Sequence, residues 1–115
     1  MEIQLLAREC ARAAIVEMGH TLIAKNLVAG SWGNISCRID EQSIAITPSG
    51  RGYELLEPED VVLIDREGAV LEGKRIPSSE LKVHTAIYNA YPEAGAVIHT
   101  HIIYASALAV MYQDV

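Results

Sequence analysis

The stretch Ile35-Ser36-Cys37-Arg38-Ile39, Asp40-Glu41-Gln42, Ser43-Ile44-Ala45-Ile46-Thr47 decides the fold class. Its first five residues alternate apolar and polar, the period of a strand with one face buried. Asp40-Glu41-Gln42 is a polar turn, and Ser43 to Thr47 is a second strand, so the segment predicts a β-hairpin. Pro48-Ser49-Gly50 ends it. Downstream, Val61 to Asp65 and Ala69 to Leu71 read as strands about the turn Arg66-Glu67-Gly68, and Glu57-Pro58-Glu59-Asp60 as one helical turn with proline near its start. Ala94 to His101 reads as a buried-type strand.

Helices flank these strands. Residues 2 to about 18 are expected to form an amphipathic helix with Ile3, Leu6, Cys10 and Ala13 on its apolar face, ended or bent at Gly19. Thr21 to Val28 suggests a second helical piece, before the glycine loop 29–34. Ser78 is a helix cap, and the helix it opens carries Val83, Ala86, Ile87 and Ala90 as its expected apolar face, ending before Pro92. Tyr104 to Tyr112 reads as a further helix. Short strands, partly in hairpins, between helices predict a layered α/β or α+β domain with a mixed or antiparallel sheet.

With 115 residues, 50% of them hydrophobic, the chain is long enough for one domain with a real core. A net charge of -6 argues against general nucleic-acid or anionic-membrane binding, which need a positive footprint. No apolar run reaches the length of a membrane span, and the first residues lack the marks of a signal peptide, so a cytoplasmic location is expected. Cys10 and Cys37 form no C-x-x-C pair and read as buried free thiols.

Three features carry chemistry. In His99-Thr100-His101, a strand puts both imidazoles on one face, where they could reach a single metal ion; the alternative is a pair of ordinary strand-end histidines. In Pro77-Ser78-Ser79-Glu80, two serines and an acid open a helix, where backbone N–H groups favour an anion, although serine caps and first-turn acids are also common in helices that bind nothing. Ser31-Trp32-Gly33-Asn34 and Thr47-Pro48-Ser49-Gly50 are glycine loops able to present N–H groups to a phosphate, or simple turns. His84, four residues after Glu80 on the same helix, could share a metal with it, but reads rather as a histidine that orients the site or packs. His20 has no evident partner.

Taken in order, Gly33-Asn34-Ile35-Ser36-Cys37-Arg38, Thr47-Pro48-Ser49-Gly50, Pro58-Glu59-Asp60, Glu72-Gly73, Pro77-Ser78-Ser79-Glu80 and His99-Thr100-His101 with Tyr104-Ala105 resemble the class II aldolase family, typified by fuculose-phosphate aldolase. The resemblance implies a three-layer αβα sandwich around a largely antiparallel sheet. It also implies zinc, or another divalent transition metal, on His99 and His101. Glu80 is implied as the proton-transfer residue, able also to ligate the metal, and Gly33, Asn34, Ser49, Gly50, Ser78 and Ser79 as the phosphate pocket. The implied substrate is a small phosphorylated sugar and the implied assembly a homotetramer. No lysine Schiff base is required, so Lys74 and Lys82 receive no role. Related ribulose-phosphate epimerases carry aspartate where this chain has Glu80, which favours an aldolase cleaving a ketose 1-phosphate to dihydroxyacetone phosphate and an aldehyde. An epimerase, a methylthioribulose-phosphate dehydratase, or a non-catalytic module like the adducin head domain are the alternatives. Residues 1–115 would then be the N-terminal part of the family domain, without the C-terminal portion that holds the third zinc histidine.

Overall fold

The computed structural model describes residues 2–28 and 33–100. Helix α1 (Glu2–Ala24) leads into strands β1 (Asn34–Arg38) and β2 (Ile44–Ile46), two short 3-10 turns (Tyr53–Leu55 and Pro58–Asp60), strands β3 (Val62–Ile64) and β4 (Val70–Glu72), helix α2 (Leu81–Ala90) and strand β5 (Ala96–His99). These five strands form one sheet in the order β4-β3-β2-β1-β5, with every neighbouring pair antiparallel. Both expected hairpins are present. Because β4 and β5 lie at opposite edges, α2 carries the chain across one face of the sheet.

Strand alternation divides the core in two. Ile35, Ala45, Val61 and Leu63 pack with Ala11, Ile15 and Leu22 of α1. Ile44, Ile46, Val62 and Ile64 pack with Tyr88 of α2. The α/β expectation is therefore met as three layers: α1, sheet, α2. Ile46, on the central strand, is wholly buried. Removing its side chain leaves a cavity that the sheet cannot collapse to fill, so Ile46→Ala is expected to cost about 2–5 kcal/mol. Urea denaturation checks this as a lower midpoint at unchanged slope.

Both helices present faces other than those expected. Helix α1 runs through Gly19 without a break to Ala24, absorbing the first half of the segment expected as a separate helix. Its buried residues are Ala11, Arg12, Ile15, Gly19 and Leu22, whereas Ile3 is 83% and Leu6 65% exposed. Alanines all round this helix blur the apolar stripe, and Gly19 is used for packing: a Cβ there would lie 3.3 Å from Leu56. Arg12 is buried because Glu72 of β4 and Glu9 pair with it, at 2.6 and 3.0 Å. In α2 the inward residues are His84, Thr85 and Tyr88, while Val83 is 46% exposed and Ala86 and Ala90 lie outward. The inner face of α2 is polar because it covers the polar residues of β1.

Two smaller corrections follow. Among the described residues β5 stands at a sheet edge with alternating exposure, where a buried strand was expected, and Cys10 is exposed, while Cys37 is half-buried. Burial pushes the Cys37 thiol pKa up. The segment expected as a helix at Tyr104 to Tyr112 lies outside the described residues. No helix among the described residues is long and apolar enough to cross a membrane.

Candidate active site

Three loops meet at one end of the sheet because backbone bonds tie them there. Pro48 and Pro77 form an isolated antiparallel bridge. On either side of it, Ser49 N–H donates to the Ile76 carbonyl at 2.8 Å and Ser78 N–H to the Thr47 carbonyl at 3.0 Å. The Thr47-Pro48-Ser49-Gly50 and Pro77-Ser78-Ser79-Glu80 stretches are thus neighbours. Thr47 also links to β1: its hydroxyl accepts from Ile35 N–H at 3.2 Å, and its own N–H donates to the Ile35 carbonyl at 3.0 Å. Gly33-Asn34 therefore opens onto the same end.

An ion cluster around the buried Asp60 ties these loops together. Asp60 accepts from Arg51, just after Gly50, at 3.3 Å, and from Arg75, just before Pro77, at 2.5 Å. Burial by itself would raise the Asp60 pKa. The Arg75 bond, the Glu57 N–H and the two guanidinium charges together outweigh it, so the carboxyl sits below its ordinary value.

Within this frame Ser78 is buried and its hydroxyl accepts from Glu80 N–H at 3.2 Å, which orients the start of α2. Ser49, Gly50, Ser79 and Glu80 are exposed at the rim. Gly33 has φ +95, and a Cβ on it would come within 2.8 Å of the His99 carbonyl oxygen. Only glycine accepts both that backbone angle and that approach.

The register of β1 with β5 sets Asn34 directly opposite His99. Cross-strand partners share a face, and the Asn34 side-chain amide lies 3.4 Å from His99 Nδ1. The amide's other end meets Nε2 of His84. His84 Nδ1 in turn lies 2.5 Å from Ser36 Oγ, which lies 2.8 Å from the Tyr88 hydroxyl. A continuous polar chain thus runs Tyr88–Ser36–His84–Asn34–His99 between α2 and the sheet. His84 has no solvent exposure. Burial first, and the neighbouring His99 second, push its pKa down to about 4, against an opposing pull from Glu80. The ring is neutral at pH 7. Burial pushes the Tyr88 hydroxyl up to about 12, so it is also neutral.

The sequence-level expectation that His84 orients the site or packs matches this placement. Ser36 and Tyr88 received no role there. Their signal was available: Asn34 and Ser36 stand two apart on a strand, and His84 and Tyr88 four apart on a helix, so each pair shares a face. His101 lies outside the described residues, and among those described no three histidine, cysteine or carboxylate side chains converge as a ready-made metal centre. The donor chemistry nevertheless suits a metal. Imidazole is a ready ligand, and the Asn34 amide 3.4 Å from His99 Nδ1, once turned to present its oxygen, is the kind of outer partner that fixes the ring of a metal-ligating histidine.

Comparison with known proteins identifies the family. Residues 13–115 match the family model described as "Class II Aldolase and Adducin N-terminal domain". The chain is 43% identical over 106 residues to 5-deoxy-D-ribulose 1-phosphate aldolase of Bacillus thuringiensis serovar kurstaki, covering 91% of this chain and 49% of that protein. It is 43% identical over 93 residues to methylthioribulose-1-phosphate dehydratase of Methylococcus capsulatus, covering 81% and 45%. It is also 43% identical over 84 residues to L-ribulose-5-phosphate 4-epimerase UlaF of Salmonella paratyphi B, covering 72% and 37%. Among solved structures, an L-fuculose 1-phosphate aldolase superposes with a TM-score of 0.82 at 35% identity, covering 88% of this chain and 48% of that one. The chain spans about half the length of the curated relatives it matches, or less. Fold, ordered motifs and family match converge: the chain belongs to the class II aldolase and adducin N-terminal domain family.

Proposed function

We propose that this protein is a metal-dependent aldolase that reversibly cleaves a ketose 1-phosphate to dihydroxyacetone phosphate and an aldehyde. One observation carries the reading: the Asn34 amide bridges His99, at the end of β5, and the buried ring of His84, whose backbone N–H donates to the Glu80 carbonyl at the start of α2 at 3.4 Å. This supports the reading of Glu80 as the acid–base group and His99 as a metal ligand at one end of the sheet, beside the serine and glycine loops.

In this reading His99, His101 and Glu80 would hold zinc or another divalent transition metal. When bound, that ion supplies Lewis-acid stabilisation of the negative charge that builds on the substrate's oxygens as the carbon–carbon bond breaks. Exposed Glu80 moves the proton to or from the substrate carbon as general acid and base. Gly33, Asn34, Ser49, Gly50, Ser78 and Ser79 hold the phosphate, with Asn34 doing so alongside its contacts to the two imidazoles. Anchoring the remote phosphate turns binding into orientation of the reacting carbon. Homo-oligomerisation belongs to the same reading, supported by the exposed apolar Ile3, Leu5 and Leu6 on α1. A cytoplasmic location accompanies it.

Relatives named as an epimerase and a dehydratase match at the same 43% identity as the aldolase. Glutamate at position 80 is what favours cleavage. Product analysis separates the three. Incubation with ketose 1-phosphates is expected to release dihydroxyacetone phosphate; a dehydrated product in its place, or epimerisation of a ketopentose 5-phosphate offered in parallel, would assign the other reactions.

A further inference from the structure

The amide of Asn34 has one donating end and one accepting end. It stands between two ring nitrogens, Nε2 of His84 and Nδ1 of His99. Satisfying both contacts requires one ring to present a proton to Asn34 and the other a lone pair. The two imidazoles therefore cannot choose their tautomers independently. At the far side, the Ser36 and Tyr88 hydroxyls can each donate or accept, so they accommodate either choice at Nδ1 of His84.

As oriented in the structure, the Asn34 oxygen accepts from His84 Nε2–H and the nitrogen donates to His99 Nδ1. A neutral His99 that accepts at Nδ1 carries its proton on Nε2 and has no lone pair there for a metal. Ligation through Nε2 requires the opposite tautomer, with Nδ1–H pointing at Asn34. The amide must then turn end for end, which its near-symmetric shape allows. Its NH2 faces His84, whose Nε2 must become bare.

We propose that Asn34 couples the ring protons of His84 and His99, so that metal loading of His99 moves the His84 proton from Nε2 to Nδ1. This rests on the reading of His99 as a metal ligand. Each ring keeps one proton and changes which nitrogen carries it, the buried His84 doing so during transient local opening, so no net proton is gained or lost. His84 Nδ1–H then donates to Ser36 Oγ, and the Ser36 hydroxyl turns to donate to Tyr88. His84 is a positioning residue: it touches neither metal nor substrate, yet it helps set which nitrogen of His99 can bind.

The test is a two-bond 15N–1H correlation spectrum of [15N]histidine-labelled protein at pH 8, without metal and with one equivalent of Zn2+. His84→Gln identifies the His84 signals. The expected result is His84 protonated on Nε2 in the metal-free protein and on Nδ1 in the loaded one. In Asn34→Asp, whose carboxylate accepts from both rings, His84 is expected to keep Nε2–H throughout. If zinc shifts His99 Nε2 to a metal-bound position while His84 keeps its tautomer, the coupling is overturned and the ligand reading survives. If zinc leaves His99 unshifted, the ligand reading fails and the switch with it. In the metal-free wild-type spectrum, protons on both nitrogens facing Asn34 would overturn the coupling without recourse to metal or variants.

Discussion

Replacing Glu80 with glutamine is expected to lower kcat for release of dihydroxyacetone phosphate by roughly 10²–10⁴-fold, the usual range for loss of a positioned general acid or base. The amide keeps the shape of the carboxylate but cannot carry a proton to or from carbon. Glu80 is exposed, and its described hydrogen bonds are backbone ones: its N–H donates to Ser78 Oγ, and its carbonyl accepts from Val83 and His84 N–H. None of these is lost in the variant. Its folding stability is therefore expected to stay within about 0.5 kcal/mol of wild type. Parallel measurement of kcat and urea midpoint checks this. An equal fall in both would mean that Glu80 acts through the fold, and an unchanged kcat would remove it from the proton-transfer role.

The second large effect is on stability against pH, and it comes from His84. The ordinary histidine pKa is 6.5, and burial in the folded protein lowers it to about 4. Between those values the unfolded chain binds a proton that the native state refuses. Stability therefore rises with pH across this window and falls as pH drops through it, reaching a loss of about 3 kcal/mol near pH 4. The carboxylates of Asp60 and Glu72 also sit below their ordinary values. Asp60 does so through its arginine contacts against an opposing burial, and Glu72 first through its bond from Arg12. Their share of stability is present above the unfolded values of 3.8 and 4.5 and is lost only below them. The windows are distinct, so urea midpoints from pH 7 to 4.5 isolate the histidine. His84→Gln is expected to flatten that slope, while leaving the steeper loss at lower pH. A slope that persists in His84→Gln would assign the effect elsewhere.

The sheet was largely readable from sequence because alternation and turn residues act locally. Ile35 to Ile39, the Asp40-Glu41-Gln42 turn and Ser43 to Thr47 folded as expected, within a residue or two at each end. Helix faces were harder. In α1 the alanines and scattered leucines give little contrast around the helix, and the buried stripe is set by Tyr53, Leu56 and the sheet, which lie far along the chain. In α2 the rule that apolar residues face inward failed because the inner face serves a polar site. Val83 lies outward so that His84 can lie inward.

The site shows the same division. The Pro77-Ser78-Ser79-Glu80 and Thr47-Pro48-Ser49-Gly50 stretches were visible as motifs, yet their adjacency depends on the Pro48–Pro77 bridge, a long-range pairing that no local pattern encodes. Asn34 was read as a phosphate contact. Its cross-strand register with His99 adds two imidazole contacts to that part. Ser36 and Tyr88 went unassigned because a serine in a strand and a tyrosine in a helix are ordinary residues until the helix is laid on the sheet.

The aldolase reading stands or falls most directly on metal-dependent cleavage. Dihydroxyacetone phosphate release from a ketose 1-phosphate should be followed in the protein as prepared, after exhaustive chelation, and after Zn2+ is restored, with His99→Ala beside it. Cleavage is expected to vanish on chelation, return with zinc and stay absent in His99→Ala. Full cleavage by the metal-stripped protein, or by His99→Ala, would contradict it.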